Sequence, residues 1–290
     1  MLKCYSKSST FFNGKKYKGV SIIMKKVLTI AGSDSCGGAG IQADIKTMSA
    51  LGVYGMSVIT AVTAQNTMGV FDVLEVNKEM VEKQIRCIFD DIEVDSIKIG
   101  MVSNGEIIHT IKKLLLDYKG KNIVVDPVMI SKSGYFLLKE EAVEELKKLI
   151  AIADLVTPNI PEAEVLTNSK IENEEQMKSA AKKIYEMGAK AVLVKGGHRC
   201  NDANDVLYFE GKFEIIKGKR IETKNTHGTG CTLSSAIASM LGKGLSVKEA
   251  VYLSKEYITK AIENSFTIGE GVGPVGHFID LYKRGGVDFE

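Results

Sequence analysis

Six residues, Thr226, His227, Gly228, Thr229, Gly230 and Cys231, stand in a row before a helical pattern that runs to about residue 242. A helix N-terminus leaves its first amides without intrahelical partners and carries a partial positive charge. Glycines at 228 and 230 clear side chains from those amides, so the turn reads as an anion hole able to grip a phosphate. Cys231 falls in the first turn, where the same field is expected to lower a thiol's pKa. A buried, inert cysteine is the plain alternative. Four more polar residues end strand-like apolar runs. Asp126 precedes Pro127, Asn159 and Glu162 stand three apart in "NIPE", and Lys195 ends the apolar part of "AVLVKGG". Asn159 and Glu162 are spaced to share one side of a helix start, or simply to cap it. A lysine adds nothing to the packing of an apolar strand, so Lys195 is read as a phosphate contact. The four histidines show no metal-ligand spacing, and the roles of His198 and His227 stay open.

A second glycine-rich stretch, "GSDSCGGAGIQAD" (32–44), also joins a strand to a helix. It is not a P-loop, because Gly38 stands where that motif requires lysine. Gly38, Gly40 and Ala43 fit a dinucleotide fingerprint. That fold needs an acidic residue about 20 positions on, for the ribose. No acidic residue lies between Asp44 and Asp72, which argues against a nicotinamide or flavin cofactor. Glycines at 37, 38 and 40 exceed what one turn needs and are read as letting a ligand approach the backbone.

These residues need a scaffold that gathers strand ends and helix starts. Near-continuous apolar runs at 27–32, 96–101, 122–127, 153–159 and 191–197 read as buried strands. Helical periods lie between them, with apolar residues at 81, 85, 88, 89 and 92, at 143, 146, 149 and 150, and at 177, 180, 181, 184 and 187. The alternation predicts a parallel sheet covered on both faces. "DVLYFEG" and "KFEIIKG" read as a hairpin, followed by helices over about 229–242 and 246–264. Ligands of open α/β sheets sit at the carboxyl ends of the strands, so Asp126, Asn159 and Glu162 are expected near one crevice.

One α/β domain is expected over residues 24–290. Residues 1–23 are read as a disordered or non-native extension, with Met24 as the natural start. That stretch holds five of the 38 basic residues and no acid, and lacks the apolar core of a signal peptide. The remaining 33 basic residues stand against 36 acidic ones, a balance of −3 that offers no case for nucleic acid. No apolar run is long enough to span a membrane. Five scattered cysteines without a C-x-x-C pair argue against a disulfide framework or zinc site, and for a reducing cytoplasm.

In chain order, "TIAGSDSCGGAGIQADIKT", "VTAQNT", "KIGM", "VVDPVM", "TPNIPEAE", "VKGGH" and "NTHGTGCTLSSA" closely resemble the bacterial hydroxymethylpyrimidine/phosphomethylpyrimidine kinases of thiamin biosynthesis, of the ribokinase-like superfamily. The likeness runs from about Lys25 to "GVGPVGHF" near residue 278. It implies a three-layer α/β/α sandwich with a mostly parallel sheet. It also implies ATP and Mg2+ as cofactors, a small aminopyrimidine alcohol as substrate, and a cytoplasmic homodimer. Carried over by motif, Gly228, Thr229, Gly230 and Cys231 are the expected catalytic turn, with Cys231 in place of the superfamily's usual aspartate. Gln65, Gly32, Asp44 and Met101 are expected to bind the pyrimidine. Asp126, Asn159, Lys195, Thr226 and His227 are expected to bind ATP, and Glu162 to hold Mg2+ through water. Cys231 is expected to be partly thiolate and to accept the hydroxyl proton late.

Two other readings compete. A pyridoxal kinase shares the 32–44 loop and the cysteine turn; Gln65, offering both donor and acceptor to an aminopyrimidine edge, favours the pyrimidine. A non-catalytic ligand sensor would have no need of Glu162, Lys195 and the turn glycines together.

Overall fold

The computed structural model describes residues 11–12, 15–16, 24–130, 134, 137–197 and 203–286. Strands β1 (Phe11–Phe12) and β2 (Lys15–Lys16) form a two-residue antiparallel ladder. The expectation for residues 1–23 otherwise lies outside the described residues, as does His198.

Strands buried on both faces lose no apolar surface to water. Six strands align in parallel here, all but the second buried almost throughout. They are β3 (Lys26–Asp34), β4 (Tyr54–Gln65), β6 (Ser96–Ile99), β7 (Ile123–Val125), β8 (Leu155–Val156) and β9 (Ala191–Val194). With β5 (Val70–Glu75), β10 (Asp205–Phe209) and β11 (Lys212–Ile216) they form one sheet, ordered β11-β10-β9-β8-β7-β6-β3-β4-β5. The three added strands are antiparallel and sit at the two edges, β10 and β11 as the expected hairpin. Sequence periodicity does not separate out β4 and β5. Thr60 and Thr63 interrupt the apolar pattern of β4, and Val62, Phe71 and Leu74 are exposed.

Helices cover both faces. On one lie α2 (Lys78–Phe89), α3 (Gly105–Asp117), α4 (Val143–Ile150), α5 (Ile160–Thr167) and α6 (Glu174–Glu186), packed on Leu28, Ile30, Ile97, Ile99, Val125 and Val194. On the other lie α1 (Gly40–Ala50), α7 (Thr229–Gly242) and α8 (Val247–Glu263), packed on the alternate residues Val27, Val124, Leu155 and Leu193. The short α9 (Ile279–Arg284) closes the described chain. Asparagines at 77, 104, 159 and 173 each accept an amide from the helix they precede, which fixes where α2, α3, α5 and α6 begin.

The parallel strands β6 to β9 stop two or three residues before the apolar runs do. Proline has no N–H to give a ladder, and the chain peels away at Pro127 and Pro158. The residues released there, Asp126 and Asn159 among them, turn into the cavity described next. No helix among the described residues is long and apolar enough to cross a membrane.

Candidate active site

A cavity of about 560 Å³ opens at the carboxyl ends of β3, β4, β7, β8 and β9, facing the starts of α1, α5 and α7. Gly32, Gln65, Met101, Asp126, Asn159, Glu162, Lys195 and residues 226–231 all line it. Thus one crevice collects every residue expected at the site except Asp44.

The floor is built where α7 begins. Gly228 holds φ +75°, and a Cβ there would run into the Gly38 carbonyl. A Cβ on Gly38 would in turn strike the His227 ring. The bareness of these two glycines lets one loop pack against the other. No side chain caps α7. The Thr229 amide reaches the Thr226 carbonyl at 3.3 Å, which leaves the turn's anion-binding capacity with Gly230 and Cys231.

Beside this turn lies a buried ionic cluster. Lys195 Nζ donates to Asp126 Oδ1 at 2.8 Å, and Thr157 and Ser234 hydroxyls donate to the same carboxylate at 3.2 Å each. The Lys195 ammonium and Asp126 carboxylate both stand 3.5 Å from where a Gly230 Cβ would be. Burial alone would raise the Asp126 pKa, but Lys195, then Lys98, outweigh it and hold it below the usual carboxylate range. Lys195, flanked by Asp126 and Glu162, is held above its ordinary value despite burial.

Asn159 and Glu162 prove to be a capping box as well as cavity residues. Asn159 Oδ1 accepts the Glu162 amide at 2.9 Å, and Glu162 Oε2 accepts the Asn159 amide at 2.7 Å. A parallel bridge sets Asn159 beside Lys195. Burial, only partly opposed by Lys195, pushes Glu162 up from 4.5 to about 7. The folded chain then holds this proton more tightly than the unfolded one. The contribution to stability is largest below pH 4.5, declines as pH rises to about 7, and is constant above. Glu162→Gln is therefore expected to flatten the stability of the ligand-free protein across that window. It should raise the unfolding temperature at pH 8 by roughly 4 °C, read by thermal melts at stepped pH.

Two expectations are corrected. Asp44 does not line the cavity. It is fully buried behind it, accepting from Lys98 Nζ at 2.9 and 3.0 Å, Thr29 Oγ1 at 2.6 Å and Ser235 Oγ at 2.5 Å. Cys231 is not a low-pKa thiol. Burial pushes it up to about 11; Lys98 opposes this, while Asp44 and Asp126 add to it. At neutral pH the thiol keeps its proton and offers no base. His227, expected at the nucleotide, lines the same cavity, with Nε2 at 2.8 Å from Asp34 Oδ2 and 3.2 Å from Gln65 Nε2.

Sequence reasoning missed Lys98, Asp34 and Thr63. Lys98 is a lysine inside an apolar strand, the same signal that marked Lys195. Asp34 organises the 32–40 loop by accepting the amides of Cys36, Gly38 and Ala39 at 2.8 to 3.1 Å. Burial would raise its pKa, but His227 and these amides hold it below its ordinary value. Asp34, Cys36 and His227 bring donor atoms within 4.8 Å of one another, a grouping that residue spacing could not show. The Asp34 carboxylate is already committed to the loop amides and His227.

A family model described as phosphomethylpyrimidine kinase matches residues 34–276. A hydroxymethylpyrimidine/phosphomethylpyrimidine kinase of Rhizobium meliloti is 51% identical over 261 residues, covering 88% of this chain and 98% of its own. The crystal structure of a phosphomethylpyrimidine kinase from Clostridium difficile superimposes with a TM-score of 0.74 at 55% identity, over 82% of this chain and 99% of that one. A Staphylococcus aureus pyridoxal kinase in complex with AMP-PCP superimposes with a TM-score of 0.82 at 36% identity, over 88% and 94%. A longer bifunctional thiamine biosynthesis protein of Geobacter sulfurreducens is 49% identical over 87% of this chain, which spans 52% of that protein.

Proposed function

The chain belongs to the phosphomethylpyrimidine kinase family, and on that premise we propose that it phosphorylates 4-amino-5-hydroxymethyl-2-methylpyrimidine with ATP, then converts the monophosphate to the diphosphate. The observation that carries the reading is the convergence of the glycine turn of α7 with the Asp126–Lys195 pair on one cavity floor. Gln65, Met101 and Gly32 form the part of the wall assigned to the pyrimidine, and Asn159, Lys195 and Thr226 the part assigned to ATP.

Phosphoryl transfer passes through a loose transition state, so placing the reactants and neutralising charge matter more than a strong base. The amides of Gly230 and Cys231 hold the oxygens of the group in transit, and the Lys195 ammonium faces them. The protonated Cys231 thiol donates rather than accepts at this stage. The hydroxyl proton departs late, onto the transferred phosphoryl oxygens. Glu162 and Asp126 are hard oxygen donors that suit Mg2+, but their oxygens are already engaged by Asn159, Lys195, Thr157 and Ser234. They would hold the ion through water, the mode Mg2+ favours. Bound there, Mg2+ would supply charge neutralisation to the phosphates.

The setting we propose is a cytoplasmic homodimer. The exposed Met68, Phe71 and Leu74 of the β4–β5 hairpin offer an apolar face, and the free Cys36, Cys87 and Cys231 suit a reducing compartment. Incubation with the pyrimidine alcohol, ATP and Mg2+ is expected to yield mono- and then diphosphate, separated by chromatography. Absence of both products would remove the reading. The likeness to pyridoxal kinases favours a weaker activity on pyridoxal. A kcat/KM higher for pyridoxal than for the pyrimidine would reverse the assignment.

A further inference from the structure

A side-chain amide has two nearly isosteric orientations, and its hydrogen-bonding partners decide between them. Around Gln65 those partners leave one choice. His227 Nε2 lies 2.8 Å from Asp34 Oδ2, and a carboxylate only accepts, so that nitrogen carries a proton. It then has no lone pair for the Gln65 amide nitrogen 3.2 Å away, and two donors would face each other. At the other end, Thr63 Oγ1 gives its single proton to the Ser33 carbonyl at 3.0 Å. None remains for the Gln65 oxygen at 3.2 Å. Turning the amide by half a rotation resolves both conflicts. His227 Nε2–H is then shared between Asp34 and the Gln65 oxygen, and the Gln65 nitrogen donates to Thr63. The Gln65 backbone is pinned independently, its carbonyl and amide both bonded to the Ser35 hydroxyl at 2.7 and 2.9 Å.

We propose that Asp34, acting through His227, and Ser33, acting through Thr63, lock the Gln65 amide in this orientation, making it a directional reader of the acceptor ring. His227 and Thr63 are positioning residues in this scheme. The locked amide keeps one lone pair on its oxygen and one N–H on its nitrogen for the cavity. A 4-aminopyrimidine edge supplies the matching N–H of its amino group and lone pair of its ring N3. The oxygen sits on the side of His227, which directly precedes the Gly228–Cys231 turn. The ring's amino group, and the hydroxymethyl on the adjacent carbon, are thereby directed toward that turn. A 4-oxo ring with a proton on N3 presents the reversed pattern and would require the amide to turn back, breaking both supports.

The inference rests on the pyrimidine kinase reading and is tested on the whole enzyme. Thermal unfolding and kcat/KM with ATP are measured for the 4-amino alcohol and its 4-oxo analogue. The wild type is expected to favour the amino compound by roughly 10²-fold or more, because a reversed edge leaves buried polar groups unpaired. In His227→Ala the preference is expected to fall at least tenfold, mainly through the KM of the amino compound. His227→Gln, which restores an N–H donor between Asp34 and Gln65, should regain part of it. Thr63→Val removes the other support without touching the His227 loop and should erode the preference in the same direction. A preference unchanged in both His227→Ala and Thr63→Val overturns the inference while leaving the kinase reading standing. A wild type that phosphorylates neither alcohol overturns the reading beneath it.

Discussion

Lys195→Ala is expected to lower kcat/KM for ATP by roughly 10²–10³-fold, the usual cost of deleting one preorganised charge-stabilising donor. Its ammonium lies 2.8 Å from Asp126 and beside Gly230 in the α7 turn, where the travelling phosphoryl group is proposed to sit. Two acidic neighbours keep it cationic. The KM for the pyrimidine should move far less, because Gln65 and Met101 are untouched. The competing role is structural, since Lys195 also balances the buried Asp126. That role predicts a different result. Unfolding temperature would drop while the KM for ATP stayed within about threefold, an outcome that would remove Lys195 from the nucleotide site. Some loss of stability is expected in either case, but the Thr157 and Ser234 hydroxyls still donate to Asp126. Steady-state kinetics with ATP varied, paired with denaturation, separates the two.

Lys98→Met is expected to destabilise the protein by about 3–5 kcal/mol, the range for breaking one partner out of a buried ion pair. Neither side chain has any exposure, so the orphaned Asp44 carboxylate would lose its counter-charge with no water to replace it. Against a typical total of about 5–15 kcal/mol, this is a third or more of the stability. The double variant Lys98→Met with Asp44→Asn should recover most of the loss, because the burden is the uncompensated charge rather than the missing contacts. Urea midpoints of the two single variants and the double form the cycle. Additive losses would show that the pair does not act as a unit. The pair lies next to the α7 turn, where Lys98 is an electrostatic neighbour of both Cys231 and Asp126. Loss of Lys98 alone is therefore also expected to push the Cys231 thiol further up.

Much of the architecture was legible because it rests on short-range patterns. Five apolar runs, the helical periods between them and the edge hairpin all correspond to elements of the fold. The helix from Thr229 to Gly242 was legible from its glycine turn. Strands β4 and β5 were not, because strands half open to solvent and interrupted by polar residues carry no clean apolar signature. The local geometry of the candidate site was legible where it depends on a motif's own backbone. The Asn159–Glu162 box closes within one helical turn, and Gly228 requires a left-handed φ.

The sequence by itself determined the layered α/β plan and the placing of reactive residues at strand ends and helix starts, and its ordered motifs carried the resemblance to a family. The plan and the placing follow from periodicity and turn chemistry within a few residues. Only the tertiary structure decided the protonation and orientation of the groups gathered there. Asp34 meets His227 across 193 positions, and Lys98 meets Asp44 across 54. The Cys231 thiol rises to about 11 although it opens a helix, because burial outweighs the helix field. Asp44 is drawn from the expected pocket wall into the core by a counter-charge from a neighbouring strand. Such properties depend on desolvation and on neighbours through space, and no local pattern of residues fixes either.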